Sequence, residues 1–225
     1  IIVTKYSNPY KRVKDAFVES CEKIYRQTSI PNRHPDIYLM HWPYPYLWKR
    51  RWKEMEQLVL NGECKAIGVC NFTKKYLEQL LSICRVRPVI NQLEHHPMFQ
   101  QIETVRLCER ENIQVMSYSP LARMNEKLFN NKTLNRIASN HDKTVGQIIL
   151  NWNISKGRIP IPASKSESHI NENFSSINFK LTNEELMDID SLECGMRIRY
   201  SPDTRFSFRQ KVGFYKQYIK LMLKL

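Results

Sequence analysis

Residues 36–43 read DIYLMHWP, an apolar run of β-type residues that ends in a histidine, a tryptophan and a proline. Similar runs recur along the chain, and segments with helical apolar spacing lie between them. This alternation predicts an α/β fold with parallel strands, because a hairpin could not reach back over an intervening helix. The predicted strands are IIVTK (1–5), DIYLMH (36–41), KAIGVC (65–70), PVINQ (88–92), IQVMSYS (113–119) and IPIPA (159–163).

Boundary residues support the predicted helices. Asn61 and Gly62 are expected to end one helix, Thr73 to cap the next, and Thr182 with Glu185 has the spacing of a capping box. The apolar positions with helical spacing are Val13, Phe17, Cys21 and Ile24; Trp52, Met55, Leu58 and Val59; Leu77, Leu80, Leu81 and Cys84; and Val145, Ile148, Ile149 and Trp152.

Composition narrows the class of protein. A chain of 225 residues is long enough for one sizeable core, and no apolar run approaches the roughly 18 residues of a membrane span. Residues 1–5 are too short for the apolar part of a signal peptide. The six cysteines include no CxxC pair, which predicts neither a metal site nor a disulfide framework. We therefore expect a cytoplasmic, globular protein.

The charge is strongly positive and uneven. Lys and Arg number 35 against 22 Asp and Glu, and from Met196 onward eight basic residues face only Asp203. Two interpretations of this tail remain open: a basic amphipathic helix on an anionic membrane, or a docking helix whose lysines are solvated. The apolar residues at helical spacing are Phe214, Tyr218, Leu221, Met222 and Leu225, with Lys211, Lys216, Lys220 and Lys224 between them.

Polar side chains stand at the carboxyl ends of all six predicted strands. Taken singly, each has an ordinary explanation, such as a structural histidine, a solvated lysine or a strand-end hydrogen bond. Because parallel α/β folds build their sites at these ends, their coincidence predicts one shared site. The residues are Lys5; His41; Cys70 and Asn71; Gln92 and Glu94; Tyr118 and Ser119; and Ser164 and Lys165.

Five motifs together resemble those of the aldo-keto reductase family. They are DIYLMHWP (36–43), KAIGVCNF (65–72), INQLEHHP (90–97), VMSYSPLAR (115–123) and IPIPASKSESHINENF (159–174), and the resemblance runs from Ile1 to about Leu192. It implies an α/β fold of the (β/α)8 TIM-barrel type. It also implies an oxidoreductase that uses NADPH, or sometimes NADH, to reduce an aldehyde or ketone.

The resemblance also assigns residue roles. Lys5 and His41 match two of the family's four catalytic groups, which are an aspartate, a tyrosine, a lysine and a histidine. Trp42 and Trp48, in an aromatic loop, are expected to wall the substrate pocket. The matching cofactor-binding positions are Asn71 and Gln92 for the carboxamide, Tyr118 for ring stacking, Ser119 and Leu121 near the pyrophosphate, and Ser164, Lys165, Glu172 and Asn173 toward the adenosine end.

The chain also departs from the family pattern. The sequence starts on what resembles the third strand, so we expect an N-terminally truncated barrel of six strands over residues 1–195 and a basic tail over 196–225. The catalytic aspartate and tyrosine belong to the absent part, and neither Tyr6 nor Tyr10 is expected to replace the tyrosine. Ala163 and His169 replace family cations, which leaves the choice between NADP and NAD open.

Three functions follow. The first is a monomeric reductase of small carbonyl compounds. The second is an inactive relative that binds a nucleotide or a protein partner. The third, motivated by the net charge of +13, is a membrane-surface or nucleic-acid-binding protein. It ranks last because the chain carries no recognised nucleic-acid motif.

Overall fold

The computed structural model describes residues 1–26 and 34–223. Strands and helices alternate along this part of the chain, as the sequence predicts. The strands are β1 (Val3–Tyr6), β2 (Ile37–Met40), β3 (Ala66–Cys70), β4 (Ile90–Glu94), β5 (Gln114–Tyr118) and β6 (Ile159–Pro160).

Ten α-helices occupy the intervals and the C-terminal part of the described chain. They are α1 (Val13–Tyr25), α2 (Trp48–Leu60), α3 (Lys74–Leu81), α4 (Ile102–Arg110), α5 (Glu126–Phe129), α6 (Lys132–Asn140), α7 (Val145–Ser155), α8 (Glu167–Phe174), α9 (Asn183–Asp190) and α10 (Phe208–Met222). Short 3₁₀ helices cover Ala122–Met124 and Ser175–Ile177. No helix in this part of the chain combines the length and the apolarity that crossing a bilayer requires.

The strands follow one another in sheet order β1-β2-β3-β4-β5-β6. Pairing is parallel between β1 and β2, where Lys5 lies opposite Leu39, and between β2 and β3, where Leu39 lies opposite Gly68. It is also parallel between β5 and β6. Sequential parallel order is what strand–helix–strand crossovers produce.

The chain divides into two compact units, and each is described by itself. Unit 1 comprises Ile1–Asn91 with Ser201–Leu225, and unit 2 comprises Gln92–Tyr200. In unit 1, Tyr38, Leu39 and Met40 of β2 are fully buried. A Cβ on Gly68 would lie only 2.6 Å from the carbonyl oxygen of Ile90, so this position of β3 admits no side chain.

The tail packs on unit 1. Phe214 of α10 is only 3% exposed, and its ring lies 5.4 Å from that of Tyr10 and 6.1 Å from that of Tyr44. Arg50 of α2 donates a hydrogen bond to the carbonyl oxygen of Leu221 at 3.1 Å. The docking interpretation of the tail therefore has direct structural support. Lys224 and Leu225, which the helical spacing included, lie outside the described residues.

Unit 2 has its own core, formed mainly by α6 and α7 around Trp152. The predicted capping box at the start of α9 is confirmed, since Thr182 accepts from the backbone of Glu185 and the Glu185 side chain accepts from the Thr182 N–H. Thr144 and Gln147 form a second capping box, which starts α7.

Some predicted boundaries shift. The run at 159–163 gives only the two-residue β6, because prolines at 160 and 162 lack the N–H that a ladder requires. The run at 88–92 gives a strand two residues further on, since Gln92, Leu93 and Glu94 are buried and continue β4. Asn61 does end α2. Thr73 stands at the start of α3 but makes no side-chain capping hydrogen bond.

Candidate active site

Lys5 and His41, the two predicted catalytic residues, lie on neighbouring strands of unit 1. Tyr6, which follows Lys5, is paired in register with Met40, which precedes His41. The backbone N–H of His41 donates to the carbonyl oxygen of Tyr6 at 3.1 Å, which extends the ladder by one residue. The charge of Lys5 acts on both His41 and Cys70. The structure therefore brings the predicted lysine and histidine together.

The environment of His41 favours its neutral form. Burial lowers the pKa of this imidazole to about 4, and the positive charges of Lys5 and Arg205 add to the effect. At neutral pH the ring therefore carries one N–H and no net charge. A neutral imidazole donates a hydrogen bond and does not serve as a strong acid.

Asn71 is held beside His41. Its side-chain amide donates to the His41 carbonyl oxygen at 3.1 Å, and its backbone has φ +62°. Asparagine tolerates this left-handed conformation better than most residues. The neighbouring Cys70 is fully buried, and burial raises the pKa of its thiol to about 12. Cys70 is therefore a neutral thiol at pH 7.

The two tryptophans predicted to line a substrate pocket have different surroundings. The ring of Trp42 lies 5.7 Å from that of His41 and 6.3 Å from that of Phe206. Trp48 is 5% exposed and packs edge-on against Phe72 at 5.5 Å. Trp42 thus borders the imidazole, and Trp48 does not; Trp42 is itself only 9% exposed, so little of either indole is open to a ligand.

Neither tyrosine near Lys5 is placed as a proton donor. The Tyr6 hydroxyl donates a hydrogen bond to the carbonyl oxygen of Lys11 at 2.7 Å. Burial also raises the pKa of Tyr6 above its ordinary value. Tyr10 is 48% exposed and packs on Phe214. The structure agrees with the expectation that Tyr6 points elsewhere.

Unit 2 carries the remaining predicted cofactor-binding residues. Gln92 in β4 is buried, and its amide donates to the thioether sulfur of Met116 at 2.9 Å. Tyr118 ends β5, and its carbonyl oxygen accepts from the N–H of His95 at 3.3 Å. Ser119 follows with φ +47°, so the chain turns sharply there.

A second group in unit 2 surrounds the start of α7. The Thr144 hydroxyl donates to Glu172 at 2.5 Å. A Cβ on Gly146 would lie 3.9 Å from the Glu172 carboxylate and 4.0 Å from Leu121, so these two residues flank the same helix end.

The other predicted residues at the adenosine end lie on the segment after β6. Ser164 and Asn173 line a cavity of about 320 Å³, whose apolar wall includes Ile170 and Phe174. Lys165 is exposed. This segment therefore presents a hydroxyl, an amide and a cation close together in sequence.

A buried polar network in unit 2 was missed from the sequence. Asn153 accepts a hydrogen bond from the Ser117 hydroxyl at 2.8 Å and contacts His95 Nδ1 at 3.0 Å. The His95 ring stacks on Trp152 at 5.1 Å. Burial lowers the pKa of His95 to about 3, so it is neutral at physiological pH. The available signal was the pair of polar residues inside the apolar runs of β5 and α7.

Glu94 was counted among the strand-end polar residues but received no specific role from the sequence, and Arg205 was not singled out. Glu94 at the end of β4 accepts from the backbone N–H groups of Ile198 and Arg199 at 2.5 and 2.9 Å. It thus fixes the segment that leads toward the tail. Arg205 lies over the Trp42 ring at 5.6 Å. Both contacts join residues far apart in sequence, and no local pattern indicates them.

Comparison with known proteins identifies relatives of this chain. The model of the aldo/keto reductase family matches residues 1–193. The uncharacterized oxidoreductase YtbE of Bacillus subtilis is 40% identical over 168 residues, which is 75% of this chain and 59% of YtbE. The methylglyoxal reductase DkgA of Escherichia coli is 37% identical over 205 residues, which is 90% of this chain and 72% of DkgA.

The fold of the chain is also similar to that of a solved structure. A mutant form of Gox0644 in complex with NADPH superposes with a TM-score of 0.81 at 30% identity, covering 91% of this chain and 75% of that protein. The chain belongs to the aldo/keto reductase family. The predicted α/β fold of the (β/α)8 TIM-barrel type, with six strands in the described residues, is confirmed. The chain spans less than two thirds of the length of YtbE.

Proposed function

We propose that this chain supplies the cofactor-binding and carbonyl-polarising residues of an NADPH-dependent reductase that converts small aldehydes or ketones to alcohols. The observation that carries the proposal is the placement of Lys5 and His41 at the ends of adjacent parallel strands, with the Lys5 charge acting on the imidazole. Family membership, the methylglyoxal reductase relative and the NADPH complex of Gox0644 support it.

The polar residues fit a nicotinamide dinucleotide in their chemistry. The amides of Asn71 and Gln92 suit a carboxamide, and the Tyr118 ring suits stacking on a flat heterocycle. Ser119 and Leu121 would lie near the pyrophosphate, while Ser164, Glu172 and Asn173 would hold the adenosine. The exposed Lys165 would meet a 2′-phosphate, which favours NADPH over NADH. When bound, the reduced cofactor would supply the hydride.

Reduction of a carbonyl group builds negative charge on its oxygen, so donors aimed at that oxygen lower the barrier. The neutral His41 ring would donate its N–H to the oxygen. The ammonium of Lys5, whose charge already acts on this ring, would stabilise the developing negative charge. The family's catalytic tyrosine, for which neither Tyr6 nor Tyr10 is placed, would give the oxygen the proton that completes the alcohol. Trp42 would form one apolar wall beside the imidazole, since their rings lie 5.7 Å apart.

A second candidate function is a catalytically inactive relative that binds the nucleotide without turnover. The Tyr6 hydroxyl donates to the Lys11 carbonyl and Tyr10 packs on Phe214, so neither of the two tyrosines nearest to Lys5 in sequence is poised to give a proton. This observation favours binding without reduction for the chain by itself.

Fluorescence titration with NADPH and NADH, followed by a turnover assay on methylglyoxal and an aromatic aldehyde, separates the two functions. Binding with oxidation of the cofactor supports the reductase, and binding without oxidation supports the inactive relative. Absence of binding to either nucleotide contradicts both.

Two variants test the residue roles. His41→Ala should lower turnover far more than cofactor affinity, by about 100-fold or more for a lost polarising donor. Tyr118→Ala should weaken cofactor binding. If both variants bind and turn over normally, the proposed roles are wrong.

A further inference from the structure

The tail helix α10 carries a second apolar stripe besides the one that docks on unit 1. The docking stripe contains Phe214, which is buried, and Leu221, whose carbonyl oxygen accepts a hydrogen bond from Arg50. The second stripe faces solvent, since its members Phe208 and Met222 are 84% and 57% exposed. Docking of the tail therefore uses only one of the two apolar stripes.

The exposed stripe has the spacing of a coiled-coil seam. Its members alternate four and three residues apart along the full length of α10, and all of them are apolar. They are Phe208, Val212, Tyr215, Ile219 and Met222. This spacing is that of the a and d positions of a heptad repeat, whose side chains insert between those of one facing helix. Single exposed apolar residues are normal on a protein surface, but a continuous row of them indicates a binding face.

The residues that border the exposed stripe include cations on both sides and no acid. With the exposed members at d positions, Arg209 and Lys216 stand at e and Lys211 stands at g. The e and g positions form the charge pairs that select the partner of a coiled coil. Two copies of α10 would bring like charges together across the seam, whereas an acidic helix would bring opposite charges together.

We propose that the exposed stripe of α10 is a docking surface for an acidic amphipathic helix of a partner protein. The inference goes beyond the proposed function, since it requires neither a cofactor nor a carbonyl substrate. The partner would lay its own apolar stripe along residues 208–222 and direct its carboxylates at the bordering cations. Because Phe214 already packs on Tyr10 and Tyr44, binding does not have to order the helix.

An anionic membrane is the rival occupant, because basic residues beside apolar ones also suit lipid headgroups. A helix that lies in a bilayer interface buries a broad apolar face, whereas a stripe confined to a and d positions is the narrower coiled-coil seam. The exposed stripe of α10 follows only these positions, with Arg209 and Lys216 on one side and Lys211 on the other. Its narrow shape favours a helix over a lipid surface.

The test measures binding of synthetic helices to the whole chain by fluorescence anisotropy. The acidic peptide has about three heptads, with isoleucine at a, leucine at d, and glutamate at e and g, which keeps it from pairing with itself. The matched basic peptide has lysine at e and g. The acidic peptide should bind, and the basic peptide should bind about tenfold more weakly or less.

Two variants separate the apolar stripe from its charges. Phe208→Asp should weaken binding of the acidic peptide by about tenfold or more, because it places a charge in the seam. The double change Arg209→Glu with Lys216→Glu should exchange the preference, so that the basic peptide binds more tightly than the acidic one. The matched control, Lys127→Glu with Lys132→Glu, makes the same change of net charge at exposed positions of unit 2 and should leave both peptides unaffected.

A preference for the acidic peptide that weakens in Phe208→Asp and reverses in the double variant supports the proposal. Absence of binding to the acidic peptide, or equal binding of the two peptides, overturns it. An equal response of the unit 2 control also overturns it, since that assigns the effect to net charge. The double variant tests the proposal even if Phe208→Asp unfolds the tail.

The rival occupants have their own measurements. Retention of the chain on phosphatidylserine vesicles that depends on Phe208 would assign the stripe to a lipid surface and overturn the partner helix. A dimer of the chain that Phe208→Asp dissociates would assign the stripe to a second copy, with the same consequence.

Discussion

The side-chain amide of Asn71 donates a hydrogen bond to the backbone carbonyl of His41 across 3.1 Å. This bond ties the residue after β3 to the residue after β2 and fixes the backbone that carries the imidazole. Asn71 achieves it with φ +62°, a conformation that costs a residue with a Cβ more than it costs glycine. Two substitutions separate the bond from the backbone cost.

Asn71→Gly should destabilise the chain by about 1 kcal/mol through the lost hydrogen bond alone. Asn71→Ala should cost about 2 kcal/mol, because alanine also bears the left-handed strain. Urea unfolding without nucleotide measures both. Equal stabilities of the two variants would show that backbone strain at this position is negligible.

The imidazole of His41 should titrate at a lower pH than an ordinary histidine. Its midpoint in the folded chain is expected near pH 4, followed by NMR of the imidazole protons. Because the folded pKa lies below the ordinary value of about 6.5, the unfolded chain takes up the proton first as the pH falls. The contribution of His41 to stability is thus complete above about pH 6.5 and is lost toward pH 4.

Unfolding free energies at pH 7 and pH 5 therefore differ less in His41→Gln than in the unchanged chain. His95, with a pKa of about 3, contributes in the same direction and remains in both proteins. If both proteins lose the same stability between pH 7 and pH 5, the lowered pKa of His41 is contradicted.

The tail helix should contribute to the stability of unit 1 through Phe214. Phe214→Ala is expected to cost about 3 kcal/mol, since it empties a buried space beside Tyr10 and Tyr44. Phe208→Ala is the matched control: Phe208 starts the same helix and is 84% exposed, so its loss should stay within about 0.5 kcal/mol. Thermal unfolding at neutral pH measures both.

Binding to anionic vesicles gives the opposing outcome for the tail. If α10 were a membrane-surface helix, Phe208→Ala would weaken vesicle binding and Phe214→Ala would leave stability unchanged. That pair of results would overturn the docking interpretation.

Glu94 should hold the segment 193–200 in place. Burial alone would raise its pKa, but the His96 ring, whose Nε2 lies 3.5 Å from Glu94 Oε1, and hydrogen bonds from the backbone of Ile198 and Arg199 bring the pKa of Glu94 below its ordinary value. Glu94→Gln replaces one acceptor oxygen with a donor. This substitution should lower the free energy of unfolding by about 1–3 kcal/mol.

Trypsin cleavage after Arg197 and Arg199 measures the loss of the hydrogen bonds to Glu94 directly, because the released segment becomes accessible to the protease. Glu103→Gln on α4 is the control, since the Glu103 side chain is 66% exposed. Unchanged cleavage in Glu94→Gln would mean that other contacts hold the segment.

The sequence predicted the features that depend on local pattern. The abrupt end of DIYLMHWP gave the position of His41, and the alternation of strands and helices gave parallel pairing with Lys5 on the adjacent strand. Thr182 and Glu185 form the predicted capping box because that motif is complete within four residues.

Features that depend on distant contacts were not predicted. The proximity of Arg205 to Trp42 joins residues from opposite ends of the chain, and the burial of Phe214 is decided by Tyr10 and Tyr44. Helical spacing identified the apolar face of the tail but not its partner. A local pattern can also mislead. Thr73 is a residue type suited to an N-cap and stands at the N-cap position of α3, but its side chain makes no capping hydrogen bond.

Unit 1 is built from two separate segments of the chain, and this has a consequence for biosynthesis. The rings of Phe206 and Phe214 complete an aromatic cluster with Trp42 and Tyr44, yet all of unit 2 is translated between the two parts. At about 5–20 residues per second, the early part waits on the order of ten seconds for its closing aromatics to leave the ribosome. During that interval the Trp42 and Tyr44 rings lack the two aromatic neighbours that cover them in the folded chain.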